Sequence, residues 1–171
     1  MNKHLIVVDV QKDFVDGALG TPEAQAIIPR VKEKIAEYRA NGGKVIFTRD
    51  THQKNYLETN EGKHLPVEHC IEGTDGWQVY DGLADGWDSV ILNKPTFGYL
   101  DWRKHIEDCE GLEIELIGLC TDICVASNAL ILKATFPEAV VSVDSTACAG
   151  VTPASHEAAL STMRMCQVEV A

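Results

Sequence analysis

The chain has 171 residues, 45% of them hydrophobic, which is enough for one sizeable core at the roughly 100–200 residues of a typical domain. Fifteen basic residues against 26 acidic ones leave a net charge of −11, which argues against a nucleic-acid backbone or an anionic membrane as main partner. No apolar run is long enough to span a bilayer, and Met1-Asn2-Lys3-His4 leads straight into a strand-like run with no leader-like pattern. A single domain over 1–171, in the cytoplasm, is therefore expected.

Short apolar runs alternate with amphipathic segments along the chain. His4–Val10 reads as a buried strand. Ile27, Ile28, Val31, Ile35 and Tyr38 recur at helical spacing, with Pro29 tolerated in a first turn and Gly42-Gly43 as a stop. Lys44–Thr48, Ser89–Leu92, Glu113–Ile117 and Val140–Val143 read as further strands. Thr121–Ala134 reads as a helix whose shared face is Ile123, Ala126, Leu130 and Ala134. Thr152-Pro153 opens another helix, and Gln167–Val170 reads as a last edge strand. Val- and Ile-rich strands separated by helices predict a three-layer α/β/α domain around a mostly parallel sheet. Such domains bind ligands at the carboxyl ends of their strands.

Four reactive groups stand at those ends: Asp9 after the first strand, Asp50 after the second, Lys94 after the third, and Cys124 just beyond the fourth. Singly, each has a plain alternative as helix cap, solvated lysine or core thiol. Together they suit nucleophilic catalysis. With Thr121 as N-cap, Cys124 falls in the first helical turn, where free N–H groups and the helix dipole favour a thiolate. Lys94 adds to that effect, and Asp9 can accept the thiol proton and pass it to a leaving amine. Turn N–H groups can hold an oxyanion.

A second cluster offers oxygen and nitrogen ligands. Asp50 and His52 are two residues apart, so in an extended stretch they face one side, and Glu61, His64 and His69 follow in a long irregular segment. This mix suits Zn²⁺, Fe²⁺ or Mn²⁺. The alternative is a polar loop that carries histidines for solvation alone.

The segments VVDVQKDF (7–14), FTRDTH (47–52), HCIEGTDG (69–76), NKPTFG (93–98) and GLCTDICV (118–125), taken in order, resemble the isochorismatase-like cysteine hydrolases, and within them the nicotinamidases. The resemblance spans nearly the whole chain and implies a triad of Asp9, Lys94 and Cys124. It also implies a non-proline cis peptide at Leu119–Cys120 that aims the N–H groups of Cys120 and Cys124 at the oxyanion. It implies a divalent metal, zinc before iron or manganese, on Asp50, His52 and His69, with Glu61 as the fourth candidate. The metal would hold the pyridine nitrogen of nicotinamide, with aromatic side chains sandwiching the ring. Phe14 supplies one side of that sandwich, and Phe97 stands where Tyr is frequent. His64-Leu65-Pro66-Val67-Glu68-His69 has no aromatic, so Leu65 alters one wall, and a histidine often found in the loop is replaced near Tyr56. Members of the family often form dimers or larger assemblies, so the resemblance admits a homo-oligomer.

The expected activity is deamidation of nicotinamide or a related small amide through a thioester on Cys124. Alternatives are a carbamoyl, ureide or other amide substrate for the same triad, and an idle binding or redox-sensing domain using Cys120 and Cys124. His4, His105 and His156 are expected to be structural or solvated, and His64 to shape its loop. Cys70, Cys109, Cys148 and Cys166 are expected to be inert thiols in a reducing compartment. Asp144, read as the end of the fifth strand, is expected to anchor the loop before Thr152. Trp77, Trp87 and Trp102 are expected to pack around the long loop.

Overall fold

The computed structural model of the protein describes residues 2–86 and 89–171; Trp87 lies outside them. In chain order the elements are β1 (Lys3–Val8), α1 (Lys12–Val15), α2 (Pro22–Ala26), α3 (Ile28–Ala40), β2 (Lys44–Asp50), α4 (Asn60–His64), β3 (Val90–Lys94), β4 (Glu113–Leu119), α5 (Ala126–Thr135), β5 (Val140–Ala149), α6 (Pro153–Met165) and β6 (Glu169–Val170). The six strands form one sheet in the order β3-β2-β1-β4-β5-β6, and each pairing is parallel.

Alternation along β1 shows how the layers form. Leu5 and Val7 pack on one face with Ile28, Val31 and Ile35 of α3. Ile6 and Val8 pack on the other with Ala129 and Leu132 of α5 and Leu160 and Met163 of α6. Helices thus cover both faces, as strands apolar on both sides require. Sequence chemistry sets the helix starts. Thr21 accepts the Ala24 N–H ahead of Pro22, and Thr152 and Ser155 form a reciprocal capping box around Pro153. Pro29 sits in the first turn of α3, as expected.

The strand order reverses between β1 and β4: β2 and β3 lie to one side of β1, β4 and its successors to the other. That reversal opens a crevice at the carboxyl ends, where α/β sheets bind ligands. Val8 is in register with Thr48 of β2 and Gly118 of β4, and Asp50 is in register with Lys94. The four expected strand ends therefore meet. Gly118 makes this closeness possible: its φ is +121°, and a Cβ there would lie 2.1 Å from the Val8 carbonyl oxygen.

Differences from the expected elements matter at three places near the site. β1 ends at Val8 rather than Val10, because Asp9 turns out of the strand with a φ of +47°. β5 continues to Ala149, past a bulge after Val143, so Asp144 lies inside the strand and not at its end. Asp144 accepts the Thr146 N–H and hydroxyl and faces Arg30 and Lys34 of α3, which fastens the bulge to that helix. The helix expected from Thr121 opens as a wide π-type turn over Thr121–Val125, with Cys120 rather than Thr121 as its N-cap. Among the described residues, no helix is long and apolar enough to cross a membrane.

Candidate active site

Lys94 Nζ lies 2.5 Å from Asp9 Oδ2 and 3.5 Å from Cys124 Sγ. Asp9 and Lys94 have no solvent exposure and Cys124 is 4% exposed, so all three are desolvated. The other Asp9 oxygen accepts the Thr48 hydroxyl at 2.6 Å, and the Asp9 N–H points back at Thr48. The Lys94 ammonium also donates to the Thr96 carbonyl, which fixes its direction.

Burial and partners set the charges. Burial opposes the Lys94 charge, but Asp9 foremost outweighs it and holds the ammonium above its ordinary value. Burial pushes the Asp9 carboxyl up, with Lys94 pulling the other way. The Cys124 thiol is pushed well up by burial and by the facing Asp9 carboxylate, which Lys94 only partly offsets. Burial and the Asp9 carboxylate thus push the thiol in the direction opposite to the lowering expected from the helix turn. A neutral thiol beside a buried, raised carboxyl suits proton transfer at the moment of attack more than a standing thiolate.

The Leu119–Cys120 peptide is cis. The Cys120 carbonyl takes the N–H groups of Ile123 and Val125 and passes over that of Cys124. Asn128, fully buried one turn along, donates to the Cys124 and Phe97 carbonyls and accepts the Tyr99 N–H. Sequence reasoning missed Asn128; an amide on the inward side of an apolar helix was the available signal. Gln11 was missed too. Fully buried, it accepts the Asp50 N–H and donates to the Asp50 and Trp77 carbonyls, tying the end of β1 to that of β2.

Asp50, His52, Glu61 and His69 converge, with one ligand atom from each lying within 4.8 Å of the others. His52 Nε2 is 2.9 Å from Asp50 Oδ2 and 3.5 Å from Glu61 Oε1, and His69 Nε2 is 3.5 and 3.8 Å from the same two atoms. The His69 Nδ1–H donates to the Val67 carbonyl at 2.8 Å, which turns Nε2 toward the cluster. Asp50 Oδ1 is buried with no hydrogen-bond partner. Burial opposes charge on both Asp50 and His52. Even so, the His52 and His69 hydrogen bonds hold Asp50 well below the carboxylate range, and Asp50 and Glu61 push His52 up to about 9. Two carboxylates and two imidazoles around one point, with an orphaned oxygen, fit a divalent cation. His64 stands apart, bonded to the Asn60 carbonyl at the surface. Tyr56 packs against both His52 and His69 where the sequence lacks a further histidine, and its hydroxyl donates to the Leu65 carbonyl.

One cavity of about 270 Å³ joins the two groups. Cys120, Cys124, Asp50, Glu61 and His69 line it, together with all three expected wall residues, Phe14, Leu65 and Phe97. Phe14 also packs on the His69 ring, with centroids 5.4 Å apart. Trp77 lies outside the lining, its indole N–H donating to Thr51 and its ring under the Arg49 guanidinium. Trp102 is fully buried in the α5 core.

Known proteins share this architecture. The chain is 28% identical to a nicotinamidase/pyrazinamidase of Mycobacterium tuberculosis, over 97% of this chain and 96% of that one. Among solved structures, a pyrazinamidase of Pyrococcus horikoshii in complex with zinc superposes with a TM-score of 0.83 at 28% identity, covering 100% and 99% of the two chains. The nicotinamidase PncA of Bacillus subtilis superposes at 0.82 with 27% identity over 100% and 99%. The isochorismatase domain model matches residues 3–171, and the chain belongs to that family.

Proposed function

We propose that this protein is a cysteine amidohydrolase that converts nicotinamide or a close heteroaryl carboxamide to the acid and ammonia. The observation that carries this reading is the shared cavity: Cys124, beside Asp9 and Lys94, opens onto the same space as the Asp50/His52/Glu61/His69 cluster. The names of the relatives in Mycobacterium, Pyrococcus and Bacillus support the same substrate class.

The chain's own residues perform the steps. Phe14, Leu65 and Phe97 enclose the ring and place the carboxamide carbon over Cys124 Sγ. Asp9 takes the thiol proton as sulfur attacks, so charge appears only when it is used. The Cys120 and Cys124 N–H groups hold the oxyanion. Asp9 returns the proton to the amine, ammonia leaves, and a thioester remains on Cys124. A water deprotonated by Asp9 then attacks the thioester carbonyl, the acid departs, and the thiol is restored. Lys94 keeps the Asp9 carboxylate ionised between these transfers and orients it. Asp50, His52, Glu61 and His69 would hold a divalent cation, zinc first by analogy with the Pyrococcus structure; when bound, it supplies a Lewis-acidic anchor for a heteroaryl nitrogen.

Among the described residues, the cavity lining contains no Lys or Arg to pair with the carboxylate of an N-carbamoyl amino acid. The six cysteines are free thiols, in keeping with a reducing cytoplasm. The test is ammonia release over a panel of nicotinamide, pyrazinamide, benzamide, an N-carbamoyl amino acid and a ureide. The heteroaryl carboxamides should lead. A lead for the carbamoyl or ureide compounds would overturn the substrate assignment.

A further inference from the structure

The turn that carries Cys124 is held from a distant part of the chain. Thr121 opens that turn and is fully buried. Its hydroxyl is hydrogen-bonded to Nδ1 of His156 at 2.8 Å, 35 residues later. His156 lies in the first turns of α6, which the Thr152/Ser155 capping box fixes, and its N–H donates to the Thr152 carbonyl. A second tether runs in parallel: the Val151 N–H donates to Asp122 Oδ1 at 3.1 Å. Gly150 lets the two segments close up, since a Cβ there would stand 2.9 Å from His156 Cβ and 3.0 Å from the His156 backbone. Gly150 and Val151 in turn line the same cavity as Cys120 and Cys124.

We infer that His156 is a positioning residue, which acts through Thr121 to hold the Cys120–Cys124 turn in its anion-binding geometry. A threonine hydroxyl in a buried helix start needs a partner, and the partner chosen here comes from α6 rather than from the turn itself. The bond therefore fixes where the turn sits relative to the rest of the sheet. The Cys120 and Cys124 N–H groups gain nothing from it in binding a flat ground-state amide. They gain from it when the carbonyl oxygen moves out of plane, because misplacement by about 1 Å can cost on the order of 10²-fold in rate. The loss should therefore fall on kcat. The inference rests on the reading of Cys124 as the nucleophile.

The experiment pairs disabling and conservative variants at both ends of the bond. Asparagine places a polar atom where His156 Nδ1 stands, so His156→Asn should keep the tether while His156→Leu removes it. Thr121→Ser should likewise keep it and Thr121→Val remove it. On the best amide of the panel, His156→Leu and Thr121→Val should each lose about 10-fold or more in kcat, with KM within about 3-fold of the parent. The conservative variants should recover most of the loss. The double variant His156→Leu/Thr121→Val should be no worse than the poorer single one, since both break one bond. A readout free of turnover accompanies these: iodoacetamide labelling of Cys124, followed by peptide mapping, should run several-fold faster in the disabled variants, because a loosened turn exposes the buried thiol. Parent-like kcat and labelling in Thr121→Val, or additive losses in the double variant, would overturn the inference, and the Thr121 pair decides it if His156→Leu does not fold. If the parent hydrolyses no amide, the amidohydrolase reading fails, while the labelling arm still decides whether the bond holds the turn.

Discussion

Lys94 and Asp9 form an ion pair at 2.5 Å with neither side chain reaching solvent, and the Cys124 sulfur lies 3.5 Å from the same ammonium. Removing one partner of such a pair leaves the other uncompensated, which typically costs about 3–5 kcal/mol. The two removals should also fail differently in catalysis. Asp9→Asn deletes the proton carrier, so the loss should reach or exceed the ~10²–10⁴-fold typical of general acid–base groups, at every pH. Lys94→Met deletes a positive charge that pulls Asp9 and Cys124 down, so both should rise further and residual activity should recover toward alkaline pH. A pH–rate profile of both variants, with the folded fraction checked by circular dichroism, decides it. Parallel profiles would mean that Asp9 is not the proton shuttle.

The two cysteines of the turn should separate cleanly. Cys120 contributes its backbone, so Cys120→Ala should keep activity within a few-fold of the parent. An idle redox domain using a Cys120–Cys124 pair predicts the opposite, with no amide turnover in either protein. The Cys124 thiol, held up by burial and Asp9, should react slowly with iodoacetamide at neutral pH and faster as pH rises. Rapid stoichiometric labelling at pH 6 would contradict the buried, protonated thiol.

Metal content follows from the four-residue cluster. Elemental analysis after mild purification should find close to one divalent ion per chain. The double change His52→Ala/His69→Ala should abolish it, and Glu61→Gln should weaken retention against a chelator without removing the site. Metal that survives the double histidine change would place the ion elsewhere.

His4 supplies a pH test remote from the site. It is 3% exposed, both ring nitrogens lack a hydrogen-bond partner, and burial with Lys44 nearby pushes it down to about 4. Its folded value lies below the ordinary 6.5, so the fold prefers the neutral ring. The contribution is therefore complete above about pH 6.5 and is lost as pH falls toward about 4. Urea denaturation should show about 1–2 kcal/mol lost between pH 7 and 5 from this group, and His4→Leu should flatten that slope. An unchanged slope would assign the acid sensitivity to other groups.

Much of the site was legible because it sits at strand ends, and strand ends can be read from apolar runs. Asp9, Asp50 and Lys94 follow Val- and Ile-rich stretches, and parallel pairing in register brings them together. What periodicity could not show was polar continuation of a strand. β5 runs on through Asp144-Ser145-Thr146 because a bulge absorbs those residues and α3 supplies Arg30 and Lys34 for the carboxylate. The N-cap at Cys120 was illegible for another reason: Thr121 has the right side chain for a cap but spends its hydroxyl on His156, a contact that depends on tertiary structure. The same reason hid Gln11 and Asn128, whose buried amides bond across elements distant in sequence. The upward push on the Cys124 thiol was illegible because it comes from complete burial, which only the tertiary structure shows.

Whether Cys124 is the nucleophile of an amide hydrolysis is decided by the ammonia and nicotinate released from nicotinamide by the parent and by Cys124→Ala, at matched metal content and folded fraction. The parent should release equal amounts of the two products, and Cys124→Ala none above background. Turnover by Cys124→Ala at a rate near that of the parent would contradict the nucleophile assignment.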